Sequence, residues 1–144
     1  MLRVLLLAFT MLLSPLFIFG FHSVNAEDQP FDVVVYGSNI KFDVQPFIED
    51  GRSLAPVRQI AESLGASVDW KGNENQVILK RAGMTVTMKI GHDVAHVNNN
   101  PVKLDVPPQL VNGRTFLPIR FIAESLQEPV YWDTHTKTVY IGHK

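Results

Sequence analysis

Apolar and polar residues recur with two periods along the chain, and the periods come in the same order twice. Residues 31–36, Phe-Asp-Val-Val-Val-Tyr, are β-branched and aromatic and predict a strand. Gly37-Ser38-Asn39 is a turn signal. Ile40-Lys41-Phe42-Asp43-Val44 then alternates apolar with charged residues, so it is expected to return as the second strand of a hairpin. Gln45-Pro46 breaks this pattern, and Phe47-Ile48 lead into the turn Glu49-Asp50-Gly51-Arg52. A helix follows from Pro56, whose missing N–H is harmless in a first turn. Val57, Ile60, Ala61 and Leu64 share one apolar face, Arg58 and Glu62 pair at i and i+4 on another, and Gly65 suits a left-handed stop. Residues 67–70 and 76–80 read as two further strands joined by the loop 71–75.

Residues 84–90, Met-Thr-Val-Thr-Met-Lys-Ile, alternate cleanly and predict a strand that has no later counterpart. The segment 93–97 is a strand and 98–101 a turn matching 36–39. From there the first pattern returns, 62 positions on. Gly51 to Leu64 fall on Gly113 to Leu126, Lys41, Asp43, Val44 and Pro46 on Lys103, Asp105, Val106 and Pro108, and Val68, Trp70 and Val77 on Val130, Trp132 and Val139. Such self-similarity indicates one structural unit used twice. One cap differs: Gln127 stands at the position of Gly65, so Pro129 is expected to help end the second helix. The pattern predicts an α+β fold of short antiparallel strands with two short helices. Its expected organisation is two tandem similar β-α-β-β units, residues 33–82 and 95–144, sharing one core.

Composition adds a compartment. Residues 4–21 are almost wholly apolar after the basic start Met1-Leu2-Arg3, and Val24 and Ala26 give a small-x-small exit. Residues 1–26 are therefore expected to be a signal peptide cleaved after Ala26, with 27–32 a flexible leader. The alternative is an uncleaved anchor, because the run is about long enough to span a membrane. The 13 Lys+Arg lose Arg3 on cleavage, leaving 12 against 14 Asp+Glu and a net charge of −2. That balance gives no electrostatic reason to bind nucleic acid. With no cysteine, an exported fold of this kind relies on a hydrophobic core rather than disulfides, and a lipid-modified cysteine is excluded.

Candidate chemistry is sparse. Arg52 and Arg114 follow the turn glycines Gly51 and Gly113, and the pairs Arg58–Glu62 and Arg120–Glu124 recur behind Pro56 and Pro118. These charges suit either a carboxylate or anionic-glycan site or a scaffold in which arginines bridge the helix to turn carbonyls and the glutamate; the scaffold is favoured. Trp70 and Trp132 alternate with Val68 and Val130, which places them toward the helix and in the core rather than on a sugar platform. Tyr131 falls on the opposite face and is the candidate exposed aromatic for a partner, together with Arg52 and Arg114. His92 and His96 lie about 13 Å apart in an extended chain and cannot share a metal ion. Ser63 and Ser125 sit within helices rather than on a nucleophile elbow. No catalytic, metal or cofactor site is expected.

The pattern Asp105-Val106-Pro107-Pro108, Asn112-Gly113-Arg114-Thr115, Pro118, Arg120, Ala123-Glu124 and Leu126, followed by Val130 and Trp132-Asp133, resembles the copper amine oxidase N-terminal-like domain, or stalk domain. The earlier copy runs from Asp43 to Trp70, and the resemblance covers about 33–141. Ala55 and Lys71 depart from it, where a larger aliphatic and Asp are usual. The resemblance implies an α+β module with an antiparallel sheet packed on helix, common in exported proteins of Gram-positive bacteria beside wall hydrolases and attachment modules. The copper ligands and modified tyrosine of the oxidases belong to a separate catalytic domain, so no copper residue carries over and no oxidase activity is expected. The expected function is a secreted, non-catalytic binding or interaction module at the bacterial cell envelope, contacting cell-wall polymer or another exported protein. A self-associating stalk or spacer that forms a homodimer is the alternative; copper or zinc handling comes third.

Overall fold

The computed structural model describes residues 30–143. The expected signal peptide, its cleavage site and residues 27–29 of the expected leader lie outside these residues, whereas Phe31 and Asp32, also expected in that leader, are part of the fold, Phe31 buried and Asp32 opening the first strand. The elements run β1 (Asp32–Val35), β2 (Ser38–Asn39), β3 (Phe47–Glu49), β4 (Arg52–Pro56), α1 (Val57–Ser63), β5 (Ser67–Lys71), a 3-10 turn (Gly72–Glu74), β6 (Gln76–Arg81) and β7 (Met84–Lys89). They continue with β8 (Val94–Val97), β9 (Asn100–Lys103), β10 (Gln109–Val111), β11 (Arg114–Pro118), α2 (Ile119–Ser125), β12 (Val130–Asp133) and β13 (Thr138–Ile141). The fold is α+β, with two short helices and mostly antiparallel short strands. Two hairpins precede each helix, a richer arrangement around each helix than β-α-β-β.

The central sheet has the order β10-β11-β4-β3 and is antiparallel throughout. Its middle pairing places Leu54 opposite Pro118, Ala55 opposite Leu117 and Pro56 opposite Phe116. Leu54 and Phe116 are 62 positions apart, as are Ala55 and Leu117, and Pro56 and Pro118, so the register maps onto itself about an axis between β4 and β11. Alternation then divides the two faces. Ala55 and Leu117 join the main core, while Leu54 and Phe116 turn to a smaller cluster with Val106. There the Phe47 and Phe116 rings lie 5.1 Å apart.

Two outer sheets flank this centre, with orders β12-β13-β1-β2 and β5-β6-β7-β8-β9. Each joins the last strands of one half to the first hairpin of the other. In the first sheet β1 pairs directly and in parallel with β13. In the second, β7 lies antiparallel between β6 and β8. The strand with no counterpart thus acts as a spacer inside one of two otherwise matching sheets. Helices α1 and α2 bury Val57, Ile60 and Ala61, and Ile119, Ile122 and Ala123, in the main core.

Two expectations are corrected here. Residues 40–44 do not form a strand. After the Ile40 N–H donates to Val33 O, the chain leaves the ladder to cross from the outer to the central sheet. Its alternation reflects packing on two cores: Ile40 and Phe42 meet the main core and Val44 the smaller one. The second helix also ends as the first does. Gly65 N–H donates to Glu62 O and Ala66 N–H to Ala61 O, each at 2.9 Å; Gln127 N–H and Glu128 N–H make the matching bonds to Glu124 O and Ala123 O at 2.9 Å. Gln127 adopts φ 63° against 78° for Gly65. The backbone motif overrides the residue's preference, at about 1 kcal/mol for a side chain in the left-handed region.

The hairpin turns follow expectation. Asp50-Gly51 and Asn112-Gly113 both carry two successive positive φ angles, as a two-residue turn matched to strand twist requires.

Candidate functional site

The two hairpin turns place Arg52 and Arg114 at the mouths of two clefts. Arg52 does not turn to the helix of its own half. Its Nη2 lies 2.8 Å from Asp105 Oδ2, and its Nε donates to the same oxygen at 2.8 Å. Arg114 reaches Asp43 Oδ2 through Nε at 2.8 Å and Nη2 at 2.5 Å. These pairs exchange partners across the central axis: each half's arginine holds the other half's aspartate. The Arg114 guanidinium keeps the Asp43 carboxyl below its ordinary range, opposed by partial desolvation and helped by the Val44 N–H. The spacing Asp43 to Arg52 and Asp105 to Arg114 was visible in the sequence; the exchange was not.

The helix arginines stay local. Arg58 Nη1 donates to Glu62 Oε1 and to Val68 O, both at 3.1 Å, and Arg120 Nη1 to Glu124 Oε1 at 3.2 Å. The first cleft, about 640 Å³, is lined by Val57, Arg58, Val68 and Trp70 from one half and by Leu110 and Arg114 from the other. The second, about 580 Å³, uses the matching Ile119, Arg120, Val130, Trp132, Ile48 and Arg52. All eleven residues lining the second cleft have their counterpart, 62 positions away, in the first. Both clefts combine an indole, two arginines and aliphatic side chains, with Asp105 in the second and both Asp43 and Asp69 in the first.

The tryptophans depart from their expected place in the core. Trp70 is 46% exposed, and Trp132 is only half-buried. Both strands lie at sheet edges, where the face turned toward the seven-residue helix runs past the cover the helix can give. Trp132 gains an edge contact with Phe31, ring centroids 5.8 Å apart at 77°. In the other sheet β7 replaces β1 beside the tryptophan's neighbour strand. Just past β7 the Ile90 N–H donates to Asn75 O, the bond that the Asp32 N–H makes to Lys137 O in the other sheet. Leu110, 61% exposed, shares the cleft with Trp70, and no sequence signal singled it out.

Tyr131 is 53% exposed, beside Tyr140 with ring centroids 6.4 Å apart, and lines neither cleft. Ser63 and Ser125 donate their hydroxyls to Gln59 O and Ile122 O of their own helices. His92 precedes β8 and His96 lies within it. Among the described residues no group of three or more His, Cys, Asp or Glu is placed to hold a metal ion.

The halves meet again through residues that line neither cleft. Tyr36 donates its hydroxyl to Glu128 Oε1, which also accepts from Arg81 Nη1 at 2.7 Å; Arg81 further donates to Leu126 O at 3.1 Å. The Tyr36 bond, then Arg81, holds the Glu128 carboxyl below its usual range against the opposing effect of desolvation. Its hydrogen bond to Glu128, followed by desolvation, raises the Tyr36 hydroxyl above its ordinary value.

Sequence comparison matches residues 34–141 to the family model described as the copper amine oxidase N-terminal domain. The chain belongs to that family. It corresponds to the non-catalytic N-terminal part of the amine-oxidase architecture. A protein of Brevibacillus choshinensis named "Protease inhibitor" is 30% identical over 123 residues, covering 83% of this chain and 38% of that protein. The chain therefore spans less than half the length of this relative. No helix among the described residues is long and apolar enough to cross a membrane.

Proposed function

We propose that this stalk-family domain is two copies of one unit, exported and acting at the cell envelope as a non-catalytic binding module for wall polymer or another exported protein. The observation that carries the reading is the exposed Trp70 indole inside a concave cleft whose two arginines are held in ion pairs with Asp43 and Glu62. The sequence of residues 1–26 supports export. The test is co-sedimentation of the purified protein with insoluble peptidoglycan, with and without secondary wall polymer. Saturable retention is expected. No retention on either material would contradict the wall-polymer reading and leave an exported protein as the partner to seek by crosslinking at the cell surface.

A second reading comes from the relative's name: inhibition of an exported protease. It requires stoichiometric loss of activity when the protein is added to serine, cysteine and metalloproteases. Full activity across the three classes would dismiss it.

A further inference from the structure

The first cleft has the chemistry of a neutral sugar site. We infer that it binds pyranose rings of an uncharged β-linked glycan, stacked on Trp70 and hydrogen-bonded by the ion pairs around it. The inference rests on the binding-module reading and names its ligand. Its starting point is the difference between the clefts: the first leaves Trp70 and Leu110 exposed, whereas the second partly covers its indole with Phe31.

An open indole beside aliphatic side chains offers a flat apolar surface, which matches the C–H face of a pyranose ring. The ion pairs and the Asp69 carboxylate decide against an anionic ligand. Arg114 is held by Asp43 and Arg58 by Glu62. An anion would have to displace a carboxylate from one of these guanidiniums, while Asp69, which also lines the cleft, adds a carboxylate that can accept from a sugar hydroxyl. A ring of hydroxyls displaces nothing: it accepts from the guanidinium N–H groups and donates to the carboxylate oxygens while the pairs persist. At about 640 Å³ the cleft lies within the range of small-ligand sites.

The test follows the two indole N–H signals in a ¹H–¹⁵N spectrum of the purified protein, assigned through Trp132→Phe. Chitotetraose and cellotetraose are the probes. The expected result is a saturable shift of the Trp70 signal with at least one of them, and a smaller response from Trp132. Trp70→Ala should weaken binding at least about tenfold. Leu110→Ala, at an exposed rim position that carries no core packing, should weaken it without touching the fold. Raising salt from about 0.05 to 0.5 M should leave affinity nearly unchanged, because no net charge is exchanged.

A Trp70 signal unmoved by both sugars overturns the inference. So does a shift produced by glycerol-phosphate oligomers and abolished by salt, or a response centred on Trp132. Wall sedimentation that survives Trp70→Ala keeps the wall-module reading and removes the cleft from it. Tetrasaccharide binding without wall sedimentation does the reverse, keeping the sugar site and rejecting the wall.

Discussion

The two clefts are made from matching residues and differ in what surrounds them. In the second, β1 lies directly against β13, and Phe31 at its start packs on Trp132. In the first, β7 lies beside β6 in the place β1 takes beside β13. The inserted strand thus accompanies the change of an indole from half-covered to exposed, while eleven lining positions stay paired between the clefts and the first adds Gln59 and Asp69. Duplication supplies two equal sites, and a change in the neighbouring sheet can release one of them from packing.

The sharpest way to break this comparison is to delete each indole. Trp132→Ala removes a half-buried ring and its Phe31 contact, and should destabilise by about 2–3 kcal/mol, below the range for fully buried aromatics. Trp70→Ala should cost less than about 1 kcal/mol. Chemical denaturation of both variants checks this; equal losses would mean that the two rings share one environment.

The Tyr36–Arg81–Glu128 contact sharpens the comparison from another side, because its counterparts in the other half are Asn98, His143 and Ala66 and cannot reproduce it. Only 11% of the Glu128 side chain is exposed and 27% of Arg81. Glu128→Ala should cost about 2 kcal/mol, as loss of charge-assisted bonds does. Because the folded Glu128 is harder to protonate than an unfolded glutamate, its contribution is present above about pH 4.3 and is lost as pH falls through its lowered folded value. Tyr36 acts with the opposite sign: its stabilisation is present below about pH 10 and fades as pH rises through its elevated value. Melting temperatures across pH for wild type and Glu128→Ala should converge at the acid end. Parallel curves would contradict the assignment.

The smallest effect concerns the two helix ends. Gln127→Gly should stabilise the protein by about 0.5–1 kcal/mol, by relieving a left-handed non-glycine residue in a motif that Gly65 already satisfies. A calorimetric comparison checks it, and a loss of stability would mean that the Gln127 side chain makes a compensating contact.

What the sequence disclosed was local. The helix faces of Val57, Ile60 and Ala61 and their counterparts, the Arg58–Glu62 and Arg120–Glu124 pairs and the Asp50-Gly51 and Asn112-Gly113 turns all depend on residues within a few positions of one another. What it concealed was long-range. Arg52 and Arg114 were read as bridges to their own helix and turn, yet across the axis between β4 and β11 they hold Asp105 and Asp43. Residues 40–44 alternated as a strand does because they pack on two cores while crossing between sheets. Trp70 had a core residue's alternation, but its exposure depends on which strand lies two places away in the sheet, a property no local pattern carries. The cleft was legible only as a list of repeated residues; the pairing that closes it was not.

Collisional quenching in two single-tryptophan proteins, Trp132→Phe and Trp70→Phe, compares the two indoles directly. Trp70, observed in the first variant, is expected to emit at longer wavelength and to be quenched by acrylamide more steeply than Trp132, observed in the second. Equal quenching of the two, or a more protected Trp70, would contradict the claim that the chain builds one cleft twice and opens only the first.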